Sequence, residues 1–183
     1  MKTKLLIAIF TMMSLCAYAQ TGEPEFTGEV NYIENGGNYV SLEKQRVVLK
    51  TKAGASMFLV GMGKIKTKIN VAGEQSRVRI PQRTNIQFVV RASDNSSDPM
   101  SIVSVFRFKT SGKARKAELS SVGTFGGASS NKLDYIDFSA KKYGESSYLI
   151  TIPVIEEGEY GITVVNPNNQ DEKQMIVSCF GVD

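Results

Sequence analysis

Strand-like segments follow one another along almost the whole chain. "GEVNYI", "NYVSLE", "QRVVLKT", "SMFLV", "KIKTKINV", "SRVRI", "NIQFVVRA", "MSIVSVFRFK", "RKAELSSV", "SSYLITI", "EYGITVV" and "KQMIVSCF" are short and mostly rich in Val, Ile, Tyr and Phe. Gly, Asn, Asp, Pro or Ser separate them, the residues that favour turns. No window sustains an apolar period of 3.6, and "KARKAELSSV", whose composition suits a helix best, is confined between Gly112 and Gly123. A chain built this way buries apolar side chains by pairing strands into sheets and packing sheet on sheet. The expectation is all-β: an antiparallel sandwich of two sheets with little helix. Uneven strand and loop lengths fit a closed barrel less well.

The first residues are set apart from this pattern. "MKTKLLIAIFTMMSLCAYAQ" opens on Lys2 and Lys4, runs apolar from Leu5 to Leu15 and ends in Ala17-Tyr18-Ala19. That is the layout of a secretory signal peptide, residues 1–19, with cleavage expected to leave Gln20 first. The apolar run is shorter than the roughly 20 residues needed to span a bilayer, so no transmembrane span is expected. Leu15 before Cys16 is too bulky for a lipid-anchor motif. The protein is expected to be exported, to the periplasm, the cell surface or beyond. Residues 20–183 suffice for one domain. After cleavage Cys179 is the one cysteine left, so no internal disulfide can form. Its neighbours in "QMIVSCFGV" are apolar, and it is expected to be a small buried hydrophobe with a slow thiol.

"IEEGEYGITV" sets Gly158 and Tyr160 at the start of a strand. It resembles the tyrosine corner of immunoglobulin-like sandwiches, which implies an immunoglobulin-like or jelly-roll-like arrangement and a Tyr160 hydroxyl bonded to backbone near Ile155. The resemblance spans Tyr148 to Phe180 and concerns fold alone. As a whole the chain is similar to small exported proteins of Bacteroidota-type bacteria, which implies a compartment and no mechanism.

The composition removes most chemistries. There is no histidine, so Ser-His-Asp and Cys-His nucleophile systems and histidine-ligated metals are excluded. Paired carboxylates could still support glycoside hydrolysis, with Glu156, Glu157, Glu159, Asp134 and Asp137 as the candidates, but nothing in their spacing places two of them across a cleft. "SVGTFGGASSNK" offers Gly123, Gly126, Gly127 and Lys132, yet "LDYIDFSA" after it alternates like a strand, so a surface loop is expected where a phosphate loop needs a helix. In "ASDNSSDPMS", Asp94, Asn95, Ser96 and Asp98 are candidate ligands for a hard cation. Turn chemistry ahead of Pro99 accounts for the same residues without a metal. No cofactor and no enzymatic activity are expected.

Charge is the feature left to explain. From Lys44 to Arg91 there are eleven Lys or Arg and one acid, Glu74, whereas residues 20–43 carry five glutamates and no base. In "GKIKTKINVAGEQSRVRI", Lys64, Lys66 and Lys68 alternate with Ile65, Thr67 and Ile69, as do Arg77 and Arg79 with Val78 and Ile80. The alternation predicts a hairpin over 64–80 with all five cations on one outward face. Like charges across a hairpin repel. Glu29, Glu34, Glu43 or Glu159 of the same chain could neutralise them, or an external anion could. Nucleic acid is a poor candidate: without Lys2 and Lys4, 20 basic residues face 18 acidic ones, and no aromatic residue interrupts the ladder. The expected partner is an anionic glycan, a lipopolysaccharide head group or an acidic protein docked on a basic sheet face. The alternatives are a structural subunit of a surface assembly or a carboxylate-based glycoside hydrolase. Neutral sugars would need stacking rings; the chain has no tryptophan, and Tyr32, Tyr39 and Tyr143 are the tyrosines expected at the surface.

Overall fold

A computed structural model describes residues 22–53, 64–123, 127–130, 132–167 and 174–183. The leader and "SMFLV" lie outside the described residues. Within them the fold is all-β. Its one helix, α1 (Pro99–Ile102), is a single turn that starts at Pro99 because Asp98 caps it, accepting from the Met100 amide at 2.9 Å.

The strands form three sheets. The first has β13 (Ser139–Tyr143), β14 (Ser147–Ile152), β7 (Ile86–Arg91), β1 (Val30–Ile33) and β2 (Tyr39–Ser41) side by side in that order. The second runs β12 (Asp134–Tyr135), β8 (Val103–Arg107), β15 (Gly158–Val164), β16 (Gln174–Val182) and β3 (Glu43–Val48), with β6 (Arg79–Ile80) beside the end of β16. The third runs β11 (Gly127–Ser130), β10 (Ala114–Gly123), β5 (Lys64–Ala72) and β4 (Lys50–Ala53), with β9 (Lys109–Thr110) also on β10. Every described pairing is antiparallel except β6 with β16.

The second sheet is the middle layer. On one face Val103, Val105, Tyr160, Ile162, Phe180 and Val182 pack with Val30, Phe88, Val90, Tyr148 and Ile150 of the first sheet. On the other, Val47, Phe106, Val177 and Cys179, together with Phe108 just past β8, pack with Ile69, Val71 and Ala117 of the third. A strand covered on both faces reads as an unbroken apolar run. Val177 to Val182 are all buried, which is why "VSCFGV" does not alternate. The antiparallel sandwich expected from the strand pattern is present, and the third sheet extends it to three layers.

The basic hairpin is not formed. β5 pairs with β10 and β4, and β6 pairs with β16, with Arg79 opposite Gly181 and Ile80 opposite Val182. The reason lies in the two cores. Ile69 and Val71 belong to the one beneath the third sheet, and Ile80 to the one beneath the first, so the chain crosses from one side of the middle sheet to the other between them. The alternation within β5 holds: Ile69 and Val71 are buried and Lys68 is exposed.

The Tyr160 hydroxyl donates to the Glu156 carbonyl at 2.8 Å, one residue beyond the Ile155 that was expected. Cys179 is buried, and burial, with Glu43 and Glu159 nearby and only Arg115 opposing, pushes its thiol up to about 12. Phe88, Phe106, Phe108, Tyr148 and Tyr160 are core residues. Tyr32, expected at the surface, is instead buried, packed against Phe88 beneath the Arg83 guanidinium, because β1 faces the first core through Val30 and Tyr32. Tyr39 is exposed and its hydroxyl meets that of Tyr143 at 2.9 Å.

Candidate functional site

The site forms along the free side of β10. On one side β10 pairs with β5 from Ala114 to Gly123, with a bulge between Glu118 and Ser120. On the other its partners are two short strands: β9 opposite Arg115 and Lys116, and β11 opposite Ser120 to Gly123. Among the described residues no strand pairs with Ala117–Leu119 there, although the Lys132 amide donates to the Leu119 carbonyl at 3.1 Å. The notch between β9 and β11 opens a cleft of about 540 Å³.

Five cations line it: Lys68 from β5, Arg107 from the end of β8, Lys109 from β9, Lys116 from β10, and Lys132 ahead of β12. Two carboxylates, Glu118 and Asp134, and the hydroxyl residue Ser111 complete the polar wall, with Ala117 the one apolar contributor. Several of these groups have partners that fix their places. Lys66, just outside the cleft, holds Glu118 at 2.8 Å, and Lys132 lies 4.0 Å from its other oxygen. Lys66 therefore keeps the Glu118 carboxyl below the ordinary carboxylate range, against a smaller effect of burial and with help from Lys132 and Lys68. Arg107 binds Glu156 at 2.7 Å and the Glu157 carbonyl at 2.6 Å. Lys116 donates to the Ser111 carbonyl at 3.1 Å. Lys68, Lys109 and Lys132 are exposed at the mouth. They can close on an anion without leaving a buried partner behind.

A second charged cluster lies between the middle and third sheets. Arg115 is fully buried, 3.2 Å from Glu43 and 3.6 Å from Glu159, and its guanidinium also reaches Ser76 and the Ala72 and Gly73 carbonyls. Glu159 accepts from the Ser76 amide and hydroxyl at 2.8 and 2.7 Å and pairs with Arg79, which also grips Asp183. Burial by itself would raise the Glu43 carboxyl, but the Arg77 amide, Gln45 and Arg115 outweigh it and hold it below its ordinary value. This cluster joins two layers and leaves no cation free for a ligand.

The five cations of the predicted ladder are thus dispersed. Lys68 lines the cleft and Lys66 stands behind Glu118; Lys64 heads the same strand, opposite Gly123. Arg79 is consumed by Glu159 and Asp183. Arg77 is exposed and gives its amide to Glu43 at 2.7 Å. Internal compensation came from Glu159, as one of the expected acids, while Glu29 pairs instead with Lys44. The main acid beside β5 is Glu118, which strand alternation in "RKAELSSV" could have indicated. Lys109, Lys116 and Lys132 carried no local signal, because they meet only through pairing on β10.

The loop proposed for a hard cation makes turn contacts. Asp94 accepts from the Ser96 amide at 2.8 Å and from its hydroxyl, Asn95 donates to the Gly144 carbonyl at 3.2 Å, and Asp98 caps α1. Among the described residues no group of three His, Cys, Asp or Glu could hold a metal. The described parts of the glycine-rich stretch are paired strands where a loop was expected, since β10 runs to Gly123 and Gly127 pairs with it; residues 124–126 lie outside the described residues. Of the hydrolysis candidates, Glu159 is locked in the buried cluster and Glu156 on Arg107, while Asp134 reaches the cleft. No helix among the described residues is long and apolar enough to cross a membrane.

No protein-family model, curated protein or solved structure matches the chain.

Proposed function

We propose that this chain is an exported, non-enzymatic binding module that docks an anionic partner in the cleft beside β10. The observation that carries the reading is the lining itself, five cations against two carboxylates on a concave surface. The excess of cations over carboxylates gives the concave surface a net positive field that raises the local concentration of anions. Lysines at the mouth suit this role because each is a mobile point charge that adapts to its ligand. The partner belongs to the class of anionic glycans, lipopolysaccharide head groups and acidic proteins, and the signal-peptide-like start of the sequence supports a location where the protein would meet them.

Glu118 and Asp134 lining one cleft give the glycoside hydrolase reading its specific observation. That reaction needs one carboxyl kept protonated to donate to the leaving group. Lys66 suits Glu118 only to the ionised role that the reaction also requires, and Asp134, the other carboxylate, is exposed at the mouth without the buried apolar setting of a general acid, so binding is the better supported role.

The test is retention on a sulfated-polysaccharide matrix across a salt gradient. Replacing Lys68, Lys109 and Lys132 by Gln should move elution to clearly lower salt, whereas Arg46→Gln, on the far edge of the middle sheet, should not. The attraction should fade with salt, because the screening length falls from about 10 Å at 0.1 M to about 3 Å at 1 M. Unchanged retention in the triple variant would remove the cleft as the binding site.

A further inference from the structure

We infer that the ligand unit seated in this cleft is a sugar carrying an anionic substituent, not a bare polyanion, with Glu118 and Asp134 selecting for its hydroxyl groups. The inference rests on the anion-binding reading above and narrows it to one chemistry. The argument starts from the two carboxylates. A site shaped for a polyphosphate has no use for them, since every face of such a ligand accepts hydrogen bonds and carries negative charge. Glu118 and Asp134 would repel it and would find no donor on it. A sugar bearing sulfate, phosphate or carboxylate offers both kinds of group at once. Its anionic substituent meets the lysines, and its hydroxyls donate to the carboxylates, where hydrogen bonds to an ionised acceptor are about twice as strong as neutral ones.

The state of Glu118 fits that use. Lys66 binds one of its oxygens at 2.8 Å, while Lys132 is 4.0 Å from the other, which leaves acceptor capacity on the cleft side. Asp134 is exposed at the mouth, across from Arg107 in the β12–β8 pairing. Size and lining agree. About 540 Å³ falls within the roughly 300–1,000 Å³ range of small-ligand sites, room for one or two sugar units of a longer chain. Seven of the nine lining residues are charged, none is aromatic, and Ala117 is the one apolar residue. A nucleobase or an acyl chain would find nothing to stack or pack on, and an acidic peptide would find no pocket for its side chains. The two carboxylates are thus specificity-determining residues: they reject what is merely negative.

The experiment is calorimetric titration of the purified protein with a sulfated glycosaminoglycan disaccharide, inorganic tripolyphosphate and hexaglutamate, repeated with Asp134→Asn and Glu118→Gln. Asp134 is exposed, so its variant tests the idea even if loss of the Lys66 pair unsettles the Glu118 variant. The disaccharide should bind about tenfold more tightly than tripolyphosphate, and Asp134→Asn should weaken the first while strengthening the second, each by several-fold. If tripolyphosphate binds as well as the disaccharide and both variants tighten both ligands, the cleft is a plain anion site; the sugar inference is overturned and the anion-binding reading stands. Preference for hexaglutamate overturns it in favour of an acidic protein partner. Binding of none of the three overturns both.

Discussion

Arg115 is a charged side chain with no access to solvent, and it shows how one residue can join two layers. Its guanidinium leaves β10 of the third sheet and meets Glu43 of β3 and Glu159 of β15, both in the middle sheet. Taking three charges out of water is costly, and their mutual attraction returns that cost only while the set is complete. Removing the cation would leave two carboxylates, each only 7% exposed, with Arg79 as the one cation on Glu159 and neutral donors alone on Glu43. Arg115→Met should therefore cost on the order of 3–5 kcal/mol in urea unfolding, far more than the loss of a surface ion pair, whose usual worth is about 0–1 kcal/mol. A cost below about 1 kcal/mol would mean that the cluster is solvated and clamps nothing. Nothing in "KARKAELSSV" marks Arg115 for burial. It shares a strand face with Ala117, and only partners distant in sequence reveal that this face is a core.

At the scale of the element, β15 explains how a strand can be covered twice. Tyr160 and Ile162 fill the first core, so the residue between them points into the second, and that residue is Gly161. A Cβ there would stand 2.8 Å from both Phe106 and Val177 and 3.0 Å from Phe108. Phe106 and Phe108 are held edge to face, 5.2 Å between centroids, so they have little freedom to retreat. Gly161→Ala should destabilise the fold by about 1–3 kcal/mol, the usual cost of overpacking, despite alanine's better strand propensity. A neutral or stabilising result in thermal or urea unfolding would show that the third sheet is loosely seated. β5 is the complementary case. Its alternation was legible from the sequence because one face is wet and the other dry, whereas its partners were not. Hydrophobic period tells a strand which way to face and is silent on which strand lies beside it.

For the whole molecule, the carboxylates predict the response to acid. Glu23, Glu29 and Glu43 are each pushed up by burial but pulled down further by backbone amides and by Arg91, Lys44 and Arg115 respectively; Glu118 is lowered chiefly by Lys66. A carboxyl that is harder to protonate when folded contributes stability that is complete above its ordinary value of 4.5 and is lost as pH falls below it through the folded value. The urea midpoint should hold steady down to about pH 5 and then fall, and a midpoint unchanged at about pH 3 would contradict these assignments. The contacts span all three sheets, so acid should loosen the layers together.

The sequence by itself determined that the chain is strand-built, that Cys179 is buried, and that histidine chemistry is absent; it misplaced Tyr32, which lies in the core. Each of these rests on local pattern or composition, which a strand expresses without reference to its neighbours. The tertiary structure decided the rest: that a middle sheet is covered on both faces, that "GKIKTKINVAGEQSRVRI" divides between two cores, and that Arg79 is spent on Glu159 while Lys68, Lys109 and Lys132 converge beside Glu118. Those outcomes depend on strand pairing between distant segments, whose energy comes from backbone hydrogen bonds nearly alike for every strand and from contacts that exist only once the layers have met.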